Sequence, residues 1–177
     1  MFSFDALDAR LIALLANDAR TGVVQLADRL SVARNTVQAR LKRLVEEKVV
    51  RGFMPLIDLP AVGVAVEGFA AIALEQAHLD VVVQELATLP QVLEVHATTG
   101  REDLLVRLAA QTHADLQDVI QRVVSIPGVA HSDTRIVLST PLRYRVQPLL
   151  NAVTELAGFG RSTPAPAETG SARLPAD

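Results

Sequence analysis

The 177-residue chain has no cysteine and no tryptophan, only one tyrosine and five phenylalanines, and four histidines that lie far apart. Without thiols there is neither a disulfide nor a thiolate metal site, a composition that suits a reducing cytoplasm. No two histidines stand in an H-x-x-x-H pair, so no structural metal site and no cofactor are expected. The N-terminus lacks a basic region followed by an apolar core, and no apolar run approaches the length of a membrane span. A soluble cytoplasmic protein is the expectation, with no membrane partner. Half of the residues are apolar, which leaves packing to aliphatic side chains.

The net charge of −3 argues on its face against a polyanionic partner. The average conceals a split. Residues 1–51 carry nine Lys/Arg against six Asp/Glu, whereas the remainder carries eight against fourteen. The positive excess coincides with a pattern for a helix-turn-helix, from Arg20 to Arg51, where a nucleic acid would be held. A first helix starts near Asp5 or Asp8, with Leu7, Leu11, Leu14 and Leu15 as its apolar stripe. A second spans about Val23–Leu30 with Val24, Ala27 and Leu30 inward. Ser31-Val32-Ala33 is a tight turn plugged by Val32. A third helix runs from Arg34 to about Glu47, burying Val37, Leu41 and Leu44 at i, i+4, i+7. Its other side offers Asn35, Thr36, Gln38, Ala39, Lys42 and Arg43, with no acidic residue among them. Arg20, Arg43 and Arg34 are candidates for DNA phosphates; Asn35, Thr36, Gln38 and Lys42 are candidates for base edges. The competing reading of these residues is a solvated polar face on a core helix. Arg40 flanks the buried stripe and suits equally an ion pair with an acidic residue. Val49–Phe53 then reads as a short strand or wing.

Met54–Gly63, with Pro55, Pro60 and Gly63, reads as a linker. Strands are expected at Val66–Leu74, Val92–Thr98, Leu104–Ala110 and Thr134–Thr140, and helices at Asp80–Leu89 and after Thr112-x-x-Asp115, a capping-box pattern. Leu89-Pro90-Gln91-Val92 and Ile126-Pro127-Gly128-Val129 form an internal repeat, each where a helix yields to a strand. Two such halves make a ferredoxin-like βαββαβ sheet with two helices on one face. Apolar residues on both faces of Val66–Leu74 and Leu104–Leu108 imply that a second subunit covers the open face. The domains expected are 1–53, a winged helix-turn-helix; 54–65, a linker; 66–141, the ferredoxin-like domain; 142–158, an extension with a short helix over Leu149–Leu156; and 159–177, a disordered tail. The fold class is α+β.

Phe4-Asp5-x-x-Asp8-x-x-Leu11-Ile12, Asp18-Ala19-Arg20, Leu26-Ala27-x-x-Leu30-Ser31-Val32-Ala33 and Val37-x-x-Arg40-Leu41-x-x-Leu44-x-x-x-x-Val49-Val50-x-Gly52-Phe53 resemble the opening half of the Lrp/AsnC (leucine-responsive and asparagine-type, feast/famine) transcription regulators. Val92-x-Glu94-x-His96-x-Thr98-Thr99-Gly100-x-x-Asp103-Leu104-Leu105-Val106 resembles the signature of that family's amino-acid-sensing domain. The resemblance spans about residues 4–140. It implies a regulator that binds double-stranded DNA at a pseudo-palindromic promoter site as a homodimer or a higher oligomer such as an octamer. It also implies an amino-acid effector held at a subunit interface by Thr98, Thr99, Gly100 and Asp103, with Thr134 lining the same pocket and Asp103 meeting the ammonium. The alternative for that loop is an ordinary hairpin turn. Where the family has Gly-x-Ser in the turn, this chain has Ser31-Val32-Ala33, so the third helix loses a side-chain N-cap. Two other readings remain. Siroheme decarboxylases share the architecture and use histidines, for which His96 and His131 are the candidates here. The chain also suits a stand-alone oligomerisation module with a vestigial DNA domain.

Overall fold

A computed structural model describes residues 3–75 and 78–155. In chain order its elements are α1 (Ala6–Asn17), α2 (Val23–Leu30), α3 (Arg34–Glu46), a 3-10 turn (Pro60–Val62), β1 (Val66–Leu74), α4 (Leu79–Ala87), β2 (Val92–Ala97), β3 (Leu104–Ala110), α5 (His113–Val124), β4 (Val129–Ile136) and α6 (Gln147–Thr154). The described residues form two compact units, one within Leu56–Arg143 and one of residues 3–55 together with residues 144–155.

In the first unit, α1 starts at a reciprocal cap. The Asp5 carboxylate accepts from the Leu7 and Asp8 amides at 3.0 and 3.1 Å, and Asp8 accepts from the Asp5 amide at 3.2 Å. Orphan amides of the first turn are thereby satisfied. Leu7, Leu11 and Leu15 pack on Leu26, Ala27, Leu30, Val37 and Leu44. Val24, expected inward, is exposed, and Leu26 is buried in its place. The stripe of α2 runs Val23, Leu26, Ala27, Leu30, at i, i+3, i+4, i+7, and Val24 lies 100° off it.

The turn between α2 and α3 is tight because Ser31 adopts the left-handed conformation, φ 54° and ψ 43°. The Val32 amide reaches back to the Ala27 carbonyl at 3.1 Å, and Val32 packs on the core. Ala33 is the N-cap of α3 in extended backbone, with no side-chain cap. Ala33→Ser supplies the missing acceptor at a compatible conformation. It should stabilise this unit by about 1 kcal/mol, read as a higher urea midpoint of the helical CD signal; an unchanged midpoint would show that the amides at the start of α3 gain nothing from it.

The expected wing strand at Val49–Phe53 is not formed. After α3 the chain turns at Lys48 (φ 56°), the Val50 amide bonds the Leu44 carbonyl at 2.9 Å, and Val50 packs against the helical core. The backbone is used in ending the helix, and the segment pairs with no strand among the described residues. The extension expected at 142–158 joins this unit from Tyr144. Its helix starts at Gln147, two residues early, and Gln147 Nε2 donates to the Ala9 carbonyl of α1 at 3.0 Å. The tail expected at 159–177 lies outside the described residues.

The second unit holds a four-stranded antiparallel sheet, in the order β2-β3-β1-β4, among the described residues. Val66, Ala70 and Ile72 of β1 and Leu104, Val106 and Leu108 of β3 meet Val82, Leu86, Leu116, Val119 and Val123 of α4 and α5 in one core. The helices therefore cover one face. At α5 the Thr112 hydroxyl accepts from the Asp115 amide at 3.1 Å and the Asp115 carboxylate accepts from the Thr112 amide at 3.0 Å, the capping box expected there. At Gly68 the backbones approach closely: a Cβ there would stand 3.1 Å from the Arg135 carbonyl oxygen, tighter than an ordinary van der Waals contact.

Strand β4 spans Val129–Ile136, earlier than the Thr134–Thr140 expected. Pairing with β1 sets it: Val129 lies opposite Leu74 and Ile136 opposite Gly68. The apolar run Ile136-Val137-Leu138 marks the strand's end. Its body is polar because β4 is an edge strand with one uncovered face. That face is mixed, not uniformly apolar. By register it carries Phe69, Ala71, Ala73 and Leu105 together with Glu94, Arg107, Arg135, Asp133, His96 and His131.

Candidate nucleic-acid and effector sites

Helix α3 presents Arg34, Asn35, Gln38, Ala39 and Lys42 to solvent, with Val37 and Leu44 buried and Leu41 partly so. Thr36 is half-buried on the flank toward Arg40. Lys42 meets Glu46 at 3.7 Å, both exposed, a pair worth little in water that leaves the ammonium available. Arg20 is almost fully exposed in the loop before α2, its amide held by Asp18 at 2.9 Å. The exposed face of α3 therefore offers amides and cations that a phosphate backbone or base edges would satisfy, and Arg20 offers a further exposed cation.

Arg40 and Arg43 behave differently from those residues. Asp8, whose side chain is fully buried, accepts from Arg40 Nη1 at 3.1 and 3.2 Å and from Arg43 Nη2 at 2.6 Å. Arg40 also donates to Asp5, and Arg43 to the Ser3 carbonyl at 3.4 Å. Burial works against the charge of Arg40, but the Asp5 hydrogen bond and the charges of Asp8 and Asp5 outweigh it and hold its pKa above the ordinary arginine value. The ion-pair reading of Arg40 is the one observed. Sequence reasoning missed that Arg43 shares the carboxylate. The signal was present: Asp5 and Asp8 on one helix and Arg40 and Arg43 on another each repeat after three residues, so both pairs present one edge.

The β2–β3 turn is anchored to the end of β1. The Thr98 amide bonds the Asp103 carbonyl at 2.8 Å, the Thr98 hydroxyl donates to the Glu102 carbonyl at 2.9 Å, and the Asp103 amide reaches the Ile72 carbonyl at 2.8 Å. Asp103 Oδ2 accepts from the Leu74 amide at 2.7 Å. Gly100, at φ 132°, supplies backbone that an L side chain rarely adopts. Thr98, Thr99 and Gly100 are exposed along this turn. Thr134 is not brought to it within one chain. It lies opposite Ala70, four residues along β1 from Leu74, about 13 Å at the strand rise. His96 and His131 sit on opposite edge strands, with β3 and β1 between them. Among the described residues no cluster of three or more His, Cys, Asp or Glu is placed to hold a metal ion, and no helix is long and apolar enough to cross a membrane.

Two family models match the chain. The AsnC-type helix-turn-helix domain covers residues 4–45, and the Lrp/AsnC ligand binding domain covers residues 67–147. An uncharacterized HTH-type transcriptional regulator of Pyrococcus abyssi is 32% identical over 76% of this chain and 86% of its own length. Among solved structures, Escherichia coli AsnC superposes with a TM-score of 0.77 at 25% identity, covering 83% of this chain and all of that one. A transcriptional regulator of Neisseria meningitidis, solved as a complex with L-Met, has a TM-score of 0.75 at 21% identity over 82% of this chain and 98% of its own. With an AsnC-type helix-turn-helix followed by an Lrp/AsnC ligand-binding sheet, each on the elements described above, the chain belongs to the Lrp/AsnC family of DNA-binding transcriptional regulators.

Proposed function

We propose that this regulator reads promoter DNA with α3 and responds to an amino acid bound at the β2–β3 turn. The observation that carries the DNA reading is the exposed face of α3 over Arg34–Lys42, which holds amides and cations with no acidic residue before Glu46 in the last turn, on a three-helix frame whose charge excess is positive. Asn35, Gln38, Lys42 and Thr36, the last more recessed, address base edges; Arg34 and Arg20 address phosphates. As an operating unit we infer a homodimer or a higher oligomer such as an octamer, bound to a pseudo-palindromic site with two recognition helices about 34 Å apart or a multiple of it. The uncovered sheet face supports this. Phe69 lies exposed at its centre, among side chains of both signs that a second copy would complement. Such a regulator works in the cytoplasm, where its DNA is.

For the effector, the Neisseria regulator's L-Met complex supports a free amino acid. Thr98, Thr99, Gly100 and Asp103 make the proposed contacts. Asp103 Oδ2 already serves the Leu74 amide, so Oδ1 is the oxygen for the ammonium. A role for Thr134 requires the pocket to be completed by another subunit, since its own chain holds it away from the turn. We read the protein as a regulator and not an enzyme: His96 and His131 are three strand spacings apart, about 14 Å, and His96 is engaged at 3.3 Å by Glu94.

Binding of the protein to the DNA upstream of its own coding sequence, measured against salt, tests the first part. Arg34→Ala and Arg20→Ala, the phosphate candidates, should each weaken binding about tenfold and each lower the slope of log K against log salt by about one. Absence of binding at low salt would remove the regulator reading. A thermal-shift screen of the twenty amino acids tests the second part. Asp103→Ala should abolish the shift given by a hit, and a retained shift would move the pocket elsewhere.

A further inference from the structure

We propose that Asp8 is a positioning residue for DNA reading: through Arg40 and Arg43 it sets the rotation of α3 about its own axis. This rests on α3 being the reader.

The two arginines lie on one flank of α3, between the buried Val37–Leu44 stripe and the exposed face of Asn35, Ala39 and Lys42. Apolar packing of α3 against α1 is non-directional and by itself tolerates small rotations. Charge-assisted hydrogen bonds are directional, and here two guanidinium groups one turn apart converge on one carboxylate that has no access to solvent. Asp8 cannot move to follow them. Its backbone is in the first turn of α1, it caps the Asp5 amide, and Asp5 caps Asp8 in return. The register of α1 is thereby transmitted to the roll of α3. A roll of 20° would carry a side-chain tip, about 5–6 Å from the helix axis, through about 2 Å, enough to lose a hydrogen bond to a base edge. The same geometry reassigns Arg43. It was a phosphate candidate by sequence, but its Nη2 is held by Asp8 and its role is to orient the helix.

The test uses the full-length protein and a duplex selected by it from a randomised pool, with a scrambled duplex as control, below the melting temperature of every variant. Asp8→Asn keeps shape and removes the charge. It should lose at least tenfold on the selected duplex and less than twofold on the scrambled one, a change in selectivity that reduced stability alone does not produce. Arg43→Ala, at a partly exposed position and so the gentler change, should also lose selectivity while leaving the salt slope at the wild-type value. Arg34→Ala, at a phosphate candidate, should lower the slope by about one. The proposal is overturned if Arg43→Ala reduces the slope as Arg34→Ala does, or if Asp8→Asn and Arg43→Ala, folded by CD, keep the wild-type selectivity. Failure of the wild type to select any duplex would instead remove the DNA reading of α3 itself.

Discussion

Arg40→Ala should destabilise the helix-turn-helix unit by about 3 kcal/mol, near the lower end of the range for breaking a buried ion pair. The side chain is 15% exposed and its partners Asp5 and Asp8 are 6% and 0% exposed. Water therefore cannot replace the lost guanidinium. Asp5 keeps its capping bonds to Leu7 and Asp8, and Asp8 keeps Arg43, which is why the loss should not reach the top of the range. The exposed Lys42–Glu46 pair is the comparator: Glu46→Ala should change stability by no more than about 0.5 kcal/mol. Urea unfolding followed by helical CD reads both. A loss below 1 kcal/mol for Arg40→Ala would mean that Asp5 and Asp8 find other partners. The effect should also survive salt, because pairs removed from solvent are screened far less than surface pairs.

How much of this was legible depends on whether local pattern or distant contact decides each element. The bounds of α2, β1 and β3 follow from periodicity and turn residues alone, and the structure has them where the pattern does. The capping box at Thr112 was visible for the same reason: both partners lie within one turn. The misplaced features are those decided elsewhere. Strand β4 is polar along its body, and only its partner β1 shows where it starts. The pair Val49-Val50 has strand propensity, yet the carbonyl of Leu44 takes the Val50 amide and the segment ends a helix. Helix α6 is a weak amphipathic stretch whose start is set by Gln147 reaching Ala9, more than a hundred residues away in sequence. At the sites, the exposed face of α3 was legible because one helix carries it. The tie of Arg43 to Asp8 and the distance of Thr134 from the β2–β3 turn were not, because both are relations between separate elements.

Gly128→Ala should cost the second unit about 2–5 kcal/mol, and the cost should divide into two measurable parts. The internal repeat places Gln91 and Gly128 at equivalent positions, each after a proline that ends a helix, yet only Gly128 has positive φ, at 96°. An L side chain there carries a backbone penalty of about 1–2 kcal/mol. An added Cβ would also stand 2.5 Å from Cβ and 2.8 Å from Cγ of His78, an overlap worth about 1–3 kcal/mol if the neighbours must shift. Neither can yield easily. The Gly128 carbonyl accepts from the Glu75 amide at 2.8 Å, and His78 begins α4, with its carbonyl bonded to the Val82 amide at 3.0 Å. Removing the His78 side chain separates the contributions. His78 makes no side-chain cap, and glycine is tolerated at helix N-caps, so His78→Gly alone should cost little beyond lost packing. In a double-mutant cycle with Gly128→Ala, the steric part should disappear and the backbone part remain, a coupling of about 1–3 kcal/mol. A coupling near zero would place the whole penalty in the backbone. A Gly128→Ala variant as stable as the wild type would show that this turn can relax to negative φ, as its repeat counterpart at Gln91 does.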